Sequence, residues 1–156
     1  MIAKRYSIFN MYVGGSNILP QGFHGLNSLW SNKDSMTPKA QKLFEHWAKE
    51  SEVEVVLKGG DHDKLEALYR ALSKIPEIPS AKFNEPGMNE CCTIVTFVAS
   101  DKIVSAGLEL RNKHILPHEA ESYLLASAII MPTGNMMLTA DEIFVASYIA
   151  YLPLVS

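Results

Sequence analysis

"EIPSAKFNEPGMNECCTIVTFVA", residues 77–99, holds two strands and the turn between them. The second strand, residues 91–99, is apolar at nearly every position. A strand wetted on one side alternates apolar and polar residues, whereas an unbroken apolar run belongs to a strand covered on both faces. The first strand, over 77–85, begins at proline breaks. The turn "EPGMNE" (85–90) is too short for a crossover, so the two strands run antiparallel. A doubly covered strand needs a helical layer on each side, and the chain upstream supplies the helices.

Working towards the N-terminus, "VEVVLK" (53–58) reads as a strand stopped by "GGD". Asp61 caps the helix that follows, with Leu65, Leu68, Tyr69 and Leu72 on one face. Before that strand, Thr37-Pro38 is an N-cap with proline at the first helical position, opening a helix with Ala40, Leu43, Phe44 and Trp47 in a stripe. "RYSIFNMYV" (5–13) is a β-branched and aromatic strand ended by "GGS". The order β-α-α-β-α-β-β predicts an α/β fold, a three-layer α/β/α sandwich on a four-stranded mixed sheet.

After residue 100 the pattern turns helical. A helix is expected over 117–131, an interruption at "PTGNMML" (132–138), and a second helix from a capping box of Thr139 and Glu142. The segment 143–155 carries no charge. A helix with an apolar girdle needs cover on more than one side. Either it folds back as a hairpin or a second copy covers it, and the sequence favours a homodimer. The division expected is an α/β domain over 1–105 and a helical C-terminal extension over 106–156, packed on the domain or on a partner.

The 156 residues, 47% hydrophobic and 20% charged, suit one globular domain. The net charge of −3 does not favour nucleic acid. Residues 1–50 are the exception, with six Lys or Arg against three acids. No apolar run is long enough to span a bilayer. The two cysteines, Cys91 and Cys92, are neighbours on a strand and point to opposite faces, poorly placed to bond each other. These features predict a cytoplasmic protein without a membrane partner. No cofactor fingerprint stands out, and "HILPHE" (114–119) has the wrong spacing for a metal site.

Polar chemistry concentrates in "NILPQGFHGLNSLW" (17–30). Gln21 and His24 lie three apart and share one helix face. Gly22 and Gly25 flank the histidine. Each costs a helix interior about 1 kcal/mol relative to alanine, so something is expected to approach the backbone closely there. A histidine buried in the core and satisfied by a neighbour is the structural alternative.

Element order and short motifs together resemble the class 2 peptidyl-tRNA hydrolases, the archaeal and eukaryotic type. That family has Gln-x-x-His-Ala on its first helix, and "QGFHG" places Gln21 and His24 there. Its Val-Val-x-Lys strand matches "VEVVLKGGD" with Lys58. Its Asp-x-Gly-x-Thr turn matches "EPGMN", with Glu85 at the Asp and Asn89 at the Thr. The resemblance covers residues 5–105. The chain departs from the family where a catalytic lysine aligns with Asn17, its preceding glycine with Ser16, and the alanine after the histidine with Gly25.

The resemblance implies a pocket at the strand ends, lined by Gln21, His24, Lys58, Glu85 and Asn89. Ester hydrolysis needs an activated water and a donor for the oxyanion. Glu85 would act as general base or orient one, Lys58 would stabilise developing charge, and His24 would hydrogen-bond the carboxylate. Asn17, Gln21 and Asn89 would position substrate. A neutral Asn17 in place of a charged donor costs about 2–4 kcal/mol of transition-state stabilisation. The implied function is that of a divergent, catalytically degenerate relative that binds RNA, tRNA included, or a protein partner through its C-terminal helices. An active peptidyl-tRNA hydrolase is the alternative. Each residue also has a plain structural role open to it: Lys58 as a solvated strand end, Glu85-Pro86 as turn builders, Asn17 as a loop residue.

Overall fold

The computed structural model describes residues 3–130 and 138–155. Four strands form one mixed sheet in the order β2-β1-β4-β3. They are β1 (Lys4–Phe9), β2 (Val53–Lys58), β3 (Ser80–Glu85) and β4 (Cys91–Ala99). β1 pairs parallel with β2 and antiparallel with β4, which pairs antiparallel with β3. The chain is therefore an α/β protein with additional C-terminal helices. β4 lies inside the sheet and is buried from Cys92 to Ala99, as its apolar run predicts.

Two helices cover one face. α1 (Ile18–Ser31) lies over β3 and β4, and α2 (Pro38–His46) follows it. Thr37 caps α2 by accepting from the Ala40 N–H. A single π-helical turn, Trp47–Ser51, leads into β2, and Trp47 donates its indole N–H to Val53 O at 2.8 Å. Leu29, Phe44, Trp47, Ala81 and Val98 form the core of this layer.

The other face carries α3 (His62–Ser73), α4 (Asp101–Asn112), α5 (Ala120–Ile130) and α6 (Ala140–Ala150). Asp61 caps α3 through the Lys64 N–H, and the Thr139–Glu142 capping box opens α6. α6 packs against α3, α4 and α5. Ile143, Val145, Ala146 and Ile149 of α6 share one core with Ile8, Leu57, Leu68 and Phe97. Most of the apolar girdle of α6 is thus covered from within the chain, with Phe144 left 43% exposed. The boundary expected at 105/106 falls inside α4, a helix that the sequence reading leaves out, and residues on both sides of it share that core. The interruption expected at 132–138 lies outside the described residues except for Leu138.

The segment read as helix beyond residue 150 is not one. Helix α6 stops at Ala150, and the chain then runs along the open edge of β2. The Lys58 N–H donates to Pro153 O at 3.0 Å and the Val155 N–H to Val56 O at 3.2 Å. Pro153 cannot continue a helix, and its neighbours take the edge donors and acceptors that β2 would otherwise leave bare. Among the described residues no helix is long and apolar enough to cross a membrane.

Candidate functional site

α1 is laid on the sheet by its small residues. Gln21, Gly25 and Leu29, spaced four apart, are its buried stripe. A β-carbon on Gly25 would sit 2.9 Å from Ile94 Cδ1 and 3.3 Å from Thr96 Cγ2. The close approach that the paired glycines predict is therefore the approach of the sheet. Leu29 is buried with Gln21 and Gly25, while Leu19 and Phe23 turn outward, 72% and 67% exposed.

A bulge then supplies the polar partner. The β3–β4 register shifts between Phe83 and Asn84, which face Ile94 and Cys92, so Thr93 is left over. An extra residue in a ladder breaks the alternation of faces. Thr93 accordingly reaches α1 beside Ile94, and its hydroxyl donates to Gln21 Oε1 at 2.5 Å. Gln21, only 8% exposed, passes the link on by donating from Nε2 to Glu85 Oε2 at 2.8 Å. Glu85 Oε1 accepts from the Gly87 N–H at 3.3 Å. These two hydrogen bonds, the Gln21 one first, hold the Glu85 carboxyl below the usual carboxylate range, slight burial opposes them, and His24 lowers it further.

His24 is exposed and not a core histidine. Its ring lies flat on Phe83, with centroids 4.2 Å apart and planes at 15°. Asn89 sits exposed in the β3–β4 turn with φ of 53°, and Glu90 follows with φ of 58°. The turn closes through the Glu90 N–H to Glu85 O at 3.1 Å. Asparagine tolerates the left-handed region through its short polar side chain. Asn17 is exposed just before α1, where its side chain makes no capping hydrogen bond.

Lys58 stands apart. It ends β2 opposite Phe9, which faces Ile94, which faces Phe83. Three strand spacings separate it from β3, about 14 Å. It shares the end of the sheet with Gln21, His24 and Glu85 but is too far across to touch Glu85 directly. The loops at this end, 10–17, 58–64 and 85–90, hold Lys58 and Lys64 against Asp61, Asp63, Glu85 and Glu90. They form no basic rim.

Sequence reasoning misses Thr93 and Phe83. A signal for Thr93 exists, because a hydroxyl in a strand buried on both faces must find a partner. Cys92 is core, its thiol pushed up to about 12 by burial, which makes it a poor nucleophile. No three His, Cys, Asp or Glu groups gather as a metal site among the described residues.

Chemically, the cluster offers an ionised carboxylate whose oxygens are already engaged, beside an exposed aromatic stack. A carboxylate held below its ordinary pKa is a weak general base. It remains a good acceptor for an incoming N–H or O–H. No protein-family model matches the chain, and no curated protein matches it either.

Proposed function

We propose that the chain is a divergent relative of the class 2 peptidyl-tRNA hydrolases that binds the unpaired end of an RNA and does not hydrolyse it. The observation that carries this reading is the His24–Phe83 stack next to Glu85. An exposed imidazole backed by a phenyl ring is a platform for one unpaired base, and a neighbouring carboxylate accepts from an exocyclic amine. The same geometry speaks against hydrolysis. Glu85 is tied into structure by Gln21 and Gly87, Lys58 lies across the sheet, and the position of the family's lysine is the uncharged Asn17.

The test is twofold. Fluorescence anisotropy with short single-stranded oligonucleotides follows binding, and release of peptide from peptidyl-tRNA follows catalysis. Binding is expected to fall about five- to a hundredfold in His24→Ala, the range for loss of one base stack. Its salt dependence is expected to be shallow, since few phosphates would be neutralised. Hydrolysis is expected to stay at background. Turnover on the order of 10 per second would establish the active hydrolase instead. Binding that ignores His24→Ala would remove the platform.

A second reading rests on a separate surface. Leu19 and Phe23 rim an open groove of about 270 Å³, floored by Phe9 and Val56, between α1 and β2. Two exposed apolar side chains beside an open groove suit an apolar segment of a protein partner. On α6, by contrast, α3, α4 and α5 cover most of the apolar face and leave Phe144 as its exposed large apolar residue.

A further inference from the structure

On the opposite face of the sheet from His24, α4 stands off from β1 and β2 and leaves a cavity of about 410 Å³. Its walls are apolar, with Val55 and Leu57 from β2 and Leu108 from α4. Its polar side chains are all donors: Lys4 and Tyr6 from β1 and Arg111 from the last turn of α4. No carboxylate lines it. Among the described residues Arg5, Lys33, Lys39, Lys82, Lys102 and Lys113 each pair with a glutamate, whereas Lys42, Lys49, Lys58, Lys64, Arg70 and Lys74 make no ion pair. Among the described residues neither Lys4 nor Arg111 has an ion-pair partner, and the Tyr6 hydroxyl has no hydrogen bond. Burial raises the Tyr6 pKa, with Arg111 nearby opposing the shift, so the hydroxyl keeps its proton and can donate.

Half-buried Lys4 and exposed Arg111 flank the cavity beside the Tyr6 phenol with no acid in its lining, an arrangement that suits an anion that also carries hydrocarbon. The volume lies in the range of small-molecule sites. A guanidinium fork matches a carboxylate in shape, and a lysine adds a point charge. We propose that this cavity binds a small amphipathic carboxylate, its apolar body on Val55, Leu57 and Leu108 and its head on Lys4, Arg111 and the Tyr6 hydroxyl.

The test uses the intact chain with octanoate as probe and 1-octanol as its uncharged counterpart, followed by calorimetry and by methyl NMR shifts. Octanoate is expected to bind with a dissociation constant of about 1 mM or tighter, within the efficiency of small ligands. The methyl groups of Val55, Leu57 and Leu108 are expected to shift. Binding is expected to weaken at least about fivefold in Lys4→Gln and in Arg111→Gln, the loss of a charge-assisted hydrogen bond. Leu108→Trp, at a half-exposed wall position, is expected to fill the cavity and abolish binding. His24→Ala is expected to bind octanoate as the wild type does, which separates this site from the base platform. Equal affinity for 1-octanol would overturn the proposal, as would full octanoate binding in Lys4→Gln and Arg111→Gln, or no binding by a folded wild type.

Discussion

Gln21 is the joint of the candidate site, because one buried amide serves both Thr93 and Glu85. Gln21→Leu removes an acceptor and a donor together and leaves the buried Thr93 hydroxyl without this partner. The expected cost is about 1–3 kcal/mol, read as a lower urea midpoint at unchanged m-value. Glu85 brings a pH dependence whose sign follows from its lowered pKa. Its stabilising contribution is complete above the ordinary value of 4.5 and is lost as pH falls through the lower folded-state value. The stability gap between wild type and Glu85→Gln should therefore hold steady at neutral pH and narrow below 4.5; a gap that widens on acidification would contradict it. The resemblance brought Gln21 and Glu85 to one site but gave the carboxylate's hydrogen bond to His24, whereas Gln21 makes that bond and His24 stacks on Phe83. Thr93 was not legible, because a bulge has no signature in a run that is apolar throughout. His24 was misplaced as a candidate core residue because Leu19, Phe23 and Trp30 look like a buried stripe. The helix buries Gln21, Gly25 and Leu29 instead, and at Gly25 the sheet comes too close for a β-carbon.

At the scale of elements, the small residues of α1 set its distance from β4. Gly25→Leu must push against Ile94 and Thr96, both fully buried, so it is expected to destabilise by about 1–3 kcal/mol despite better helix propensity. Thermal denaturation beside Gly14→Ala, a position with open space, provides the control. The C-terminal strap on β2 is a second test. Deleting residues 153–156 bares the donors and acceptors of a strand edge and is expected to raise self-association, seen as a concentration-dependent rise in light scattering. Strands and their pairing sense were readable because crossover and hairpin lengths leave few choices. α4 was not readable, because Ser105 and Gly107 interrupt its apolar pattern. Gly107 faces α6, but a β-carbon there would lie 4.0 Å from Ala146 O, an ordinary contact, so packing against α6 does not require a glycine at this position.

For the whole molecule, the decisive fact is one core spanning the first strand and the last helix. A fragment ending at residue 105 would cut α4 and leave Leu57, Leu68 and Phe97 without the α6 residues that share their core. It is expected to show no cooperative thermal transition, with circular dichroism far below that of the intact chain. A sharp transition in that fragment would restore an independent α/β domain. The division expected from sequence followed the extent of a family resemblance, and resemblance says nothing about which later residues finish a core.

The position of α6 between α3 and α4 also governs how the protein is made. α3 is complete at Ser73 and the sheet covers it by Ala99, yet the cover that α6 supplies arrives only with Ala140–Ala150. At the usual pace of translation those intervening residues take about 4–15 s to emerge. For that interval the nascent chain carries a half-finished apolar face that no local rearrangement can hide. Holdase chaperones are expected to occupy ribosome-bound chains stalled at residue 115 and to release those stalled well beyond residue 156.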